Sequence, residues 1–191
     1  MPHLLKNKNI TVQIDLPDEG YGFSRFDWTG KISKVTFKKI PVTGRERPDN
    51  RDHDFVGRGF YNEVGIDSAL GFEEAEMGGW FHKIGIGLLK KDLPDYLFHK
   101  KYTIRPARFE SKGDTKKIIL TCRSEAFNGF SYVLEKEIRL EDDGFRIQYR
   151  LHNTGDKKIS TQEYTHNFMA IDEKLMGPGY VLRFPFLIQP E

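Results

Sequence analysis

Residues 130–152 read FSYVLEKEIRLEDDGFRIQYRLH and carry the strongest structural signal in the chain. From Phe145 to Leu151 every second residue is apolar and the residues between are polar, a pattern typical of a strand with one buried and one exposed face. The first half of the stretch alternates in the same way. The EDDG between the halves ends in an Asp-Gly pair, which favours a tight turn because glycine accepts a positive φ angle. The stretch therefore predicts a β-hairpin over residues 130–152.

Segments of the same kind recur along the chain, each bounded by Gly, Pro, Asn or Asp. They are residues 10–15, 34–40, 102–105, 117–123, 159–172 and 180–187. The best case for helical spacing is residues 67–77, where Asp67 or Ser68 would cap a short helix. Strands with one polar face indicate sheets packed on one side only. The sequence thus predicts an all-β, antiparallel protein, a sandwich in preference to a barrel.

Composition limits the possible functions. The chain has 191 residues, of which 38% are hydrophobic and 13% aromatic, as expected of a globular protein. No linker or repeat divides it, so residues 1–191 are interpreted as one domain. Thirty basic residues against 28 acidic ones give a net charge of +2, which disfavours nucleic-acid binding. The single cysteine, Cys122, excludes an intrachain disulfide and a cysteine-based zinc module.

The same features bear on location. No stretch approaches the roughly 20 apolar residues of a membrane span, and residues 1–16 lack the apolar run of a signal peptide. We therefore expect a cytoplasmic protein with no membrane partner and no cofactor.

Two glycine-rich segments interrupt the strand pattern and are predicted to be loops that carry a site. They are residues 57–65, GRGFYNEVG, and residues 78–87, GGWFHKIGIG. The second lacks the third glycine of a dinucleotide-binding loop. Its His82 follows Trp80 and Phe81, a setting in which a sugar ring could stack on an aromatic face while the imidazole donates a hydrogen bond. The alternative is a partly buried histidine bonded to a backbone carbonyl.

A second histidine lies in residues 161–168, TQEYTHNF. A strand period would place Gln162, Tyr164, His166 and Phe168 on one face, so that the imidazole lies between two aromatic rings. Histidine, with an ordinary pKa of about 6.5, can act as a general acid near neutral pH. The alternative is a structural histidine on a strand.

Other candidate chemistry receives less support from the sequence. The run DNRDHD at residues 49–54, which contains His53, is more typical of a solvated loop than of a metal site, and no metal is predicted. Arginines on the predicted strands could bind a carboxylate or phosphate, but exposed arginines more commonly only make one face of a sheet polar and solvated. No GxSxG elbow is present, so a serine hydrolase is not supported.

Several of these motifs together resemble the aldose 1-epimerase or galactose mutarotase-like family. They are RFDWTG at residues 25–30, the two glycine-rich segments, LHNTG at 151–155 and YTHNF at 164–168. The resemblance implies an antiparallel β-supersandwich that binds a sugar in an open groove and interconverts its α and β anomers. It further implies that His166 protonates the ring oxygen and that His82 helps to hold the sugar. Contacts to the sugar are then expected from Asn62, Glu63, Arg58, Trp80, Tyr164 and Asn167.

This chain departs from the family pattern at two points. An Asn-Arg pair that grips sugar hydroxyls in the family reads Asn62-Glu63 here. The C-terminal third that supplies the family's catalytic glutamate has no counterpart, so the sandwich is expected to be shortened. Candidate replacement bases are Glu63, Glu73, Glu74 and Glu163, each also readable as an ordinary surface acid. The missing strands would leave exposed sheet edges, which a homodimer could cover.

The leading functional hypothesis is accordingly an aldose 1-epimerase-like isomerase acting on a free sugar. The alternative is a non-catalytic sugar-binding or sensing module that has lost the base and stacks a sugar on Trp28 or Trp80. A third hypothesis is a structural domain whose exposed edges pair with another chain.

Overall fold

The computed structural model describes residues 1–19, 21–47, 55–174 and 176–189. These residues form thirteen strands and one 3-10 turn, Ile171–Glu173, without an α-helix. In chain order the strands are β1 (His3–Lys6), β2 (Ile10–Asp15), β3 (Lys31–Phe37), β4 (Ile40–Pro41), β5 (Phe60–Val64), β6 (Trp80–Lys83), β7 (Gly87–Lys90), β8 (Ile104–Pro106), β9 (Arg108–Gly113), β10 (Lys117–Arg123), β11 (Tyr132–Leu140), β12 (Phe145–Asn153) and β13 (Glu163–Asn167). The all-β prediction is confirmed.

The strands form three antiparallel sheets. The first runs in the order β1-β2-β3-β5-β13, with the short β4 beside β3. The second runs β12-β11-β10-β9, and the third β6-β7-β8. The chain returns to the first sheet only with β13, which pairs with β5 along all five of its residues. Within the described residues, β13 and β12 are therefore edge strands of their sheets.

The predicted hairpin is formed by β11 and β12, which pair from Tyr132 with Asn153 to Leu140 with Phe145. The backbone N–H of Glu141 donates to the carbonyl of Gly144 at 2.9 Å and closes the turn. Gly144 is not among the residues with a positive φ angle, so the turn does not use the conformation that the Asp-Gly pair suggested. The four-residue loop is long enough to reverse the chain without it.

The main core lies between the first and second sheets. Buried apolar residues of β1, β2 and β3 pack against residues of β10 and β11, and this contact makes the pair of sheets a sandwich. The cluster consists of Leu5, Ile10, Val12, Ile14, Ile32, Val35, Ile118, Leu120 and Ile138. A shift of register between Gln13 and Ile14 bends β2 against β3 without interrupting this apolar face. The other two clusters pack β6 and β7 onto the same body.

Three local predictions are wrong. Residues 67–77 form turns rather than a helix. The glycine-rich segments are not long loops, because they contain β5 and β6 and the start of β7. Residues 180–187 form no strand, although most of them are apolar. The predicted strand at 159–172 is reduced to β13, and the strands at 34–40 and 102–105 are shifted by a few residues.

Glycine is needed where β5 begins. Gly59 has a φ of +60°, and a Cβ atom there would meet the carbonyl oxygen of Ile32 on β3. The close approach lets Ile32 pair with Phe60, the one registered pair between β3 and β5. The first glycine-rich segment is thus explained by backbone packing at a strand entrance.

Among the described residues, no helix has the length and apolar character that crossing a membrane would require.

Candidate functional site

Pairing of β5 with β13 divides the predicted site residues between two faces of the first sheet. Glu63 is opposite Tyr164, and Tyr61 is opposite His166. Asn62 lies between Tyr61 and Glu63 on β5 and is opposite Thr165 on β13, so the side chains of this pair point to the other face of the sheet. One face therefore carries Glu63, Tyr164 and His166, and the other carries Asn62 together with Asn167.

His166 is the centre of the first group. Its Nε2 lies 3.1 Å from Oε2 of Glu63. The imidazole is 4.6 Å from the ring of Tyr164 and 5.6 Å from that of Phe168, which is nearly parallel to it at 8°. Phe26 meets it edge-on from a third side. The prediction that this histidine lies between two aromatic rings is confirmed. Tyr164 is 54% exposed, so its ring forms the solvent-exposed part of this group.

Arg25 holds Glu63 from the other side. Its Nε donates to Oε2 of Glu63 at 3.3 Å, the same oxygen that faces His166. The two terminal nitrogens donate to both oxygens of Glu46 at 2.8 and 3.2 Å. The guanidinium lies over Phe26 and within cation–π distance of Phe98. A buried arginine between two carboxylates therefore fixes one of them behind the imidazole.

Sequence reasoning did not assign Arg25 or Glu46 to the site. Arg25 lies in the RFDWTG motif, and Glu46 lies in a polar segment without a distinguishing pattern. Burial opposes ionisation of Glu46, but its hydrogen bonds from Arg25 and from the N–H of Gly57 outweigh this and lower the pKa of Glu46. Its side chain is 27% exposed, so this carboxylate reaches solvent where Glu63 does not.

Glu63 is fully buried, and its Oε1 has no hydrogen-bond partner among the described residues. The buried ammonium of Lys83 contributes charge nearby and donates to the carbonyl of Gly65 at 2.8 Å and to the hydroxyl of Tyr96 at 2.6 Å. Burial lowers the pKa of Lys83 to about 8, although the negative charge of Glu63 opposes this shift. The carboxylate of Glu63 thus lies in a charged but dry environment.

Arg58 lies further along the same face. It donates to Oδ2 of Asp15 at 2.8 Å and to the hydroxyl of Tyr61 at 3.0 Å. It also lines a cleft of about 490 Å³ with Lys34 and Arg45. The predicted residues Glu63, Arg58, Tyr164 and His166 are therefore on one face of the sheet, with Tyr61 between Arg58 and the imidazole.

Asn62 and Asn167 belong to a different place. They line a cleft of about 460 Å³ between the two sheets, together with Phe60, Phe145 and Tyr149. Asn62 donates to Glu163 at 2.7 Å and lies 3.4 Å from the buried ammonium of Lys136. A strand period of two separates neighbouring residues onto opposite faces, so these asparagines cannot contact the same ligand as His166 on a single surface.

His82 is also apart from His166. Its ring is fully buried against Phe130 and Tyr132, and Nε2 lies 3.3 Å from the carbonyl of Phe127. Burial lowers the pKa of His82, and the Phe127 carbonyl opposes the shift. An imidazole in this position does not reach a sugar, so the predicted pairing of His82 and His166 in one groove is not formed. The structure matches the alternative interpretation, a buried histidine beside a backbone carbonyl.

The tryptophans do not form a platform beside His166 either. Trp80 is on the edge strand β6 of the third sheet and is covered by the guanidinium of Arg105 at 4.5 Å. Trp28 is 5% exposed, and its indole N–H donates to the carbonyl of Phe23 at 2.8 Å. The aromatic surface next to the histidine is formed by Tyr164 instead.

No family model, curated protein or solved structure matches this chain. The arrangement around His166 must accordingly be interpreted from its own geometry.

The remaining candidate acids are surface groups or structural partners. Glu73 is exposed, Glu74 pairs with Lys157, and Glu163 accepts from Asn62. In the part of the chain that the structure describes, no group of three or more His, Cys, Asp or Glu side chains is placed to hold a metal ion. The predicted loop around His53 lies outside the described residues.

Proposed function

We propose that this protein binds a monosaccharide over the row formed by Tyr164, His166 and Phe168 and interconverts its anomers, with His166 as the proton-transfer group. The observation that carries the proposal is the 3.1 Å contact between the buried Glu63 and His166, whose side chain is 12% exposed. A carboxylate behind an imidazole fixes the orientation of the ring, as a positioned proton-transfer group requires.

The chemistry follows from this geometry. With Nε2 facing Glu63, Nδ1 is the nitrogen left to donate a proton to the ring oxygen of the sugar. The C1–O5 bond then breaks while the anomeric hydroxyl loses its proton to a base and C1 becomes a carbonyl. We assign the base to Glu46, because it is partly exposed whereas Glu63 is not. Rotation about the C1–C2 bond, followed by the reverse transfers, gives the other anomer.

The experiment is an anomer-exchange measurement by NMR with D-glucose, D-galactose, D-xylose and D-glucuronate. We expect the protein to accelerate exchange of at least one sugar beyond the buffer rate. His166→Asn should lower the enzymatic rate about 100-fold or more, the usual contribution of a positioned acid. His152→Asn, a change on the exposed part of β12, is the matched control and should leave the rate unchanged. Exchange at the buffer rate with every sugar would overturn the enzymatic proposal.

A second function is favoured by the burial of Glu63. A carboxylate shared by Arg25 and His166 and closed to solvent is also what a structural ion network contains. The chain would then bind a sugar on Tyr164 without turning it over. Saturation-transfer NMR with the same four sugars separates the two functions, because binding lost in Tyr164→Ala without anomer exchange supports the binding module.

We propose the cytoplasm as the location, in keeping with a single cysteine that is buried and unpaired.

A further inference from the structure

The open side of the sandwich lies between two edge strands. Within the described residues, β12 and β13 each have a neighbour on one side only. The cleft between them is lined by apolar groups of both sheets, among them Phe60, Phe145, Ile147 and Met169. An edge strand beside an apolar cleft offers unpaired backbone groups and a surface for side chains at once.

The same chain contains a segment that could bind in such a cleft. Residues 181–188 read VLRFPFLI and have no strand partner. Their apolar side chains are among the most exposed in the chain: Val181, Leu182, Phe184, Phe186, Leu187 and Ile188 are between 49% and 92% exposed. In an extended conformation the four even-numbered residues share one face. A segment with exposed apolar side chains and no partner indicates a surface that binds elsewhere.

We infer that residues 181–188 of a second copy add to the free edge of β12 and place their even-numbered side chains in the cleft, so that two copies exchange these segments. Each copy carries both a segment and an edge, and a two-fold arrangement satisfies both reciprocally. The inference is independent of sugar binding.

Pro185 fits this arrangement. In a strand the backbone groups of successive residues point to opposite sides, so a proline is tolerated where its nitrogen faces outward. With even-numbered residues bonded to β12, Pro185 lies on the outer side of the added strand. It would block a further strand there, so the assembly closes at two copies rather than extending.

The contact area is sufficient for a stable pair. Aromatic side chains bury roughly 150 to 250 Å² each, so a segment with Leu182, Phe184, Phe186 and Ile188 in the cleft buries several hundred Å². Two exchanged segments approach the roughly 1,600 Å² of a standard specific interface.

The test is the oligomeric state of the full chain, measured by sedimentation velocity and light scattering over a range of concentrations. We expect a dimer. The triple variant Leu182→Asp, Phe184→Asp and Phe186→Asp should raise the dissociation constant by at least about 100-fold, because it removes three apolar groups from the contact. The control is Met77→Asp with Leu97→Asp, two exposed apolar residues elsewhere, which should leave the dimer intact. A monomeric wild type, or a triple variant that stays dimeric, would overturn the inference.

A mixing experiment distinguishes exchanged segments from any other dimer. Ile147→Lys introduces a charge into the cleft and should block the acceptor edge while leaving residues 181–188 unchanged. This variant and the triple variant should each be monomeric alone and should form a one-to-one pair when mixed well above the dissociation constant of the wild-type dimer, since one supplies an intact segment and the other an intact edge. The pair should be weaker than the wild-type dimer, because it keeps one of the two contacts. Circular dichroism verifies that both variants are folded. Failure of two folded variants to associate contradicts the exchange.

Discussion

His166 Nε2 faces the same oxygen of Glu63 that accepts the Nε–H of Arg25, at 3.1 and 3.3 Å. One carboxylate oxygen is therefore shared between a guanidinium and an imidazole. Glu63 is buried, so solvent does not separate its carboxylate from either group. The proposed chemistry depends on this shared oxygen more than on any other single contact.

Glu63→Gln keeps the shape of the side chain and removes its charge. We expect the anomer-exchange rate to fall about 100-fold, because the neutral amide no longer places a negative charge beside Nε2 of His166. Arg25 retains its bidentate contact with Glu46, so the fold should persist. Glu135→Gln, which removes an exposed carboxylate paired with Arg150, is the control. A Glu63→Gln protein with the wild-type rate would remove Glu63 from the mechanism.

Lys83 should make stability rise with pH. Burial lowers its pKa from 10.5 to about 8 in the folded protein. Between these two values the unfolded chain holds a proton that the folded chain lacks, so the free energy of unfolding increases as pH rises from 8 to 10.5. Cys122 acts in the opposite direction, because burial raises the pKa of its thiol. The measurement is therefore the difference between wild type and Lys83→Met in urea unfolding.

Below pH 8 the wild type carries the cost of a charged, buried Lys83. The free energy of unfolding of Lys83→Met minus that of wild type should therefore be larger below pH 8 than at pH 10.5, by on the order of 3 kcal/mol. This difference should decrease as the pH rises from 8 to 10.5. Lys90→Met, at an exposed position of β7, should run parallel to wild type. Parallel curves for Lys83→Met would contradict the prediction.

His82 should make the protein sensitive to acid. Burial lowers its pKa in the folded state, so below the ordinary histidine value of about 6.5 the unfolded chain binds a proton that the folded chain does not. Stability is then lost as pH falls below 6.5. His82→Phe should lose less stability than wild type between pH 6.5 and 5 in urea unfolding. His152→Gln, at an exposed position, should follow the wild-type curve.

Gly57 lies against the ring of Phe168, and a Cβ atom at this position would overlap it. Gly57→Ala should therefore displace the ring that stacks on His166 and lower the free energy of unfolding by about 1 to 3 kcal/mol. Histidine ring NMR signals should shift at the same time. Gly144→Ala meets no atom within 4 Å and should change stability by less than about 0.5 kcal/mol. Equal effects of the two substitutions would be inconsistent with this packing.

Alternation of apolar residues predicted the strands with one polar face well. β2 and β10 have the predicted bounds, Ile10–Asp15 and Lys117–Arg123. Alternation did not predict β6, where Phe81, His82 and Lys83 are all buried, because a strand that is covered on both faces has no alternating pattern. The prediction of a strand at residues 180–187 also failed, because apolar residues are frequent there but do not alternate.

The site was predicted in part for a related reason. His82 and His166 both lie within two residues of an aromatic residue, yet one is fully buried and the side chain of the other is 12% exposed. Local sequence does not determine which face another sheet covers. Arg25 was missed because its partners, Glu46 and Glu63, lie 21 and 38 residues away and are brought together only by the fold.

β13 is the last of the described strands to be synthesised, so the site around His166 forms only after β13 has paired with β5. His166 and Glu63 are 103 residues apart in sequence, and β5 is tied to β3 by a single registered pair until β13 docks. Contacts this remote form slowly, because a long stretch of chain must first be ordered. During synthesis, a ribosome-bound chain that has not yet released residue 166 would hold Glu63 and Arg25 without an imidazole beside them. The proposed proton-transfer activity would thus report completed folding, whereas the spectroscopic signal of the β11–β12 hairpin would develop earlier.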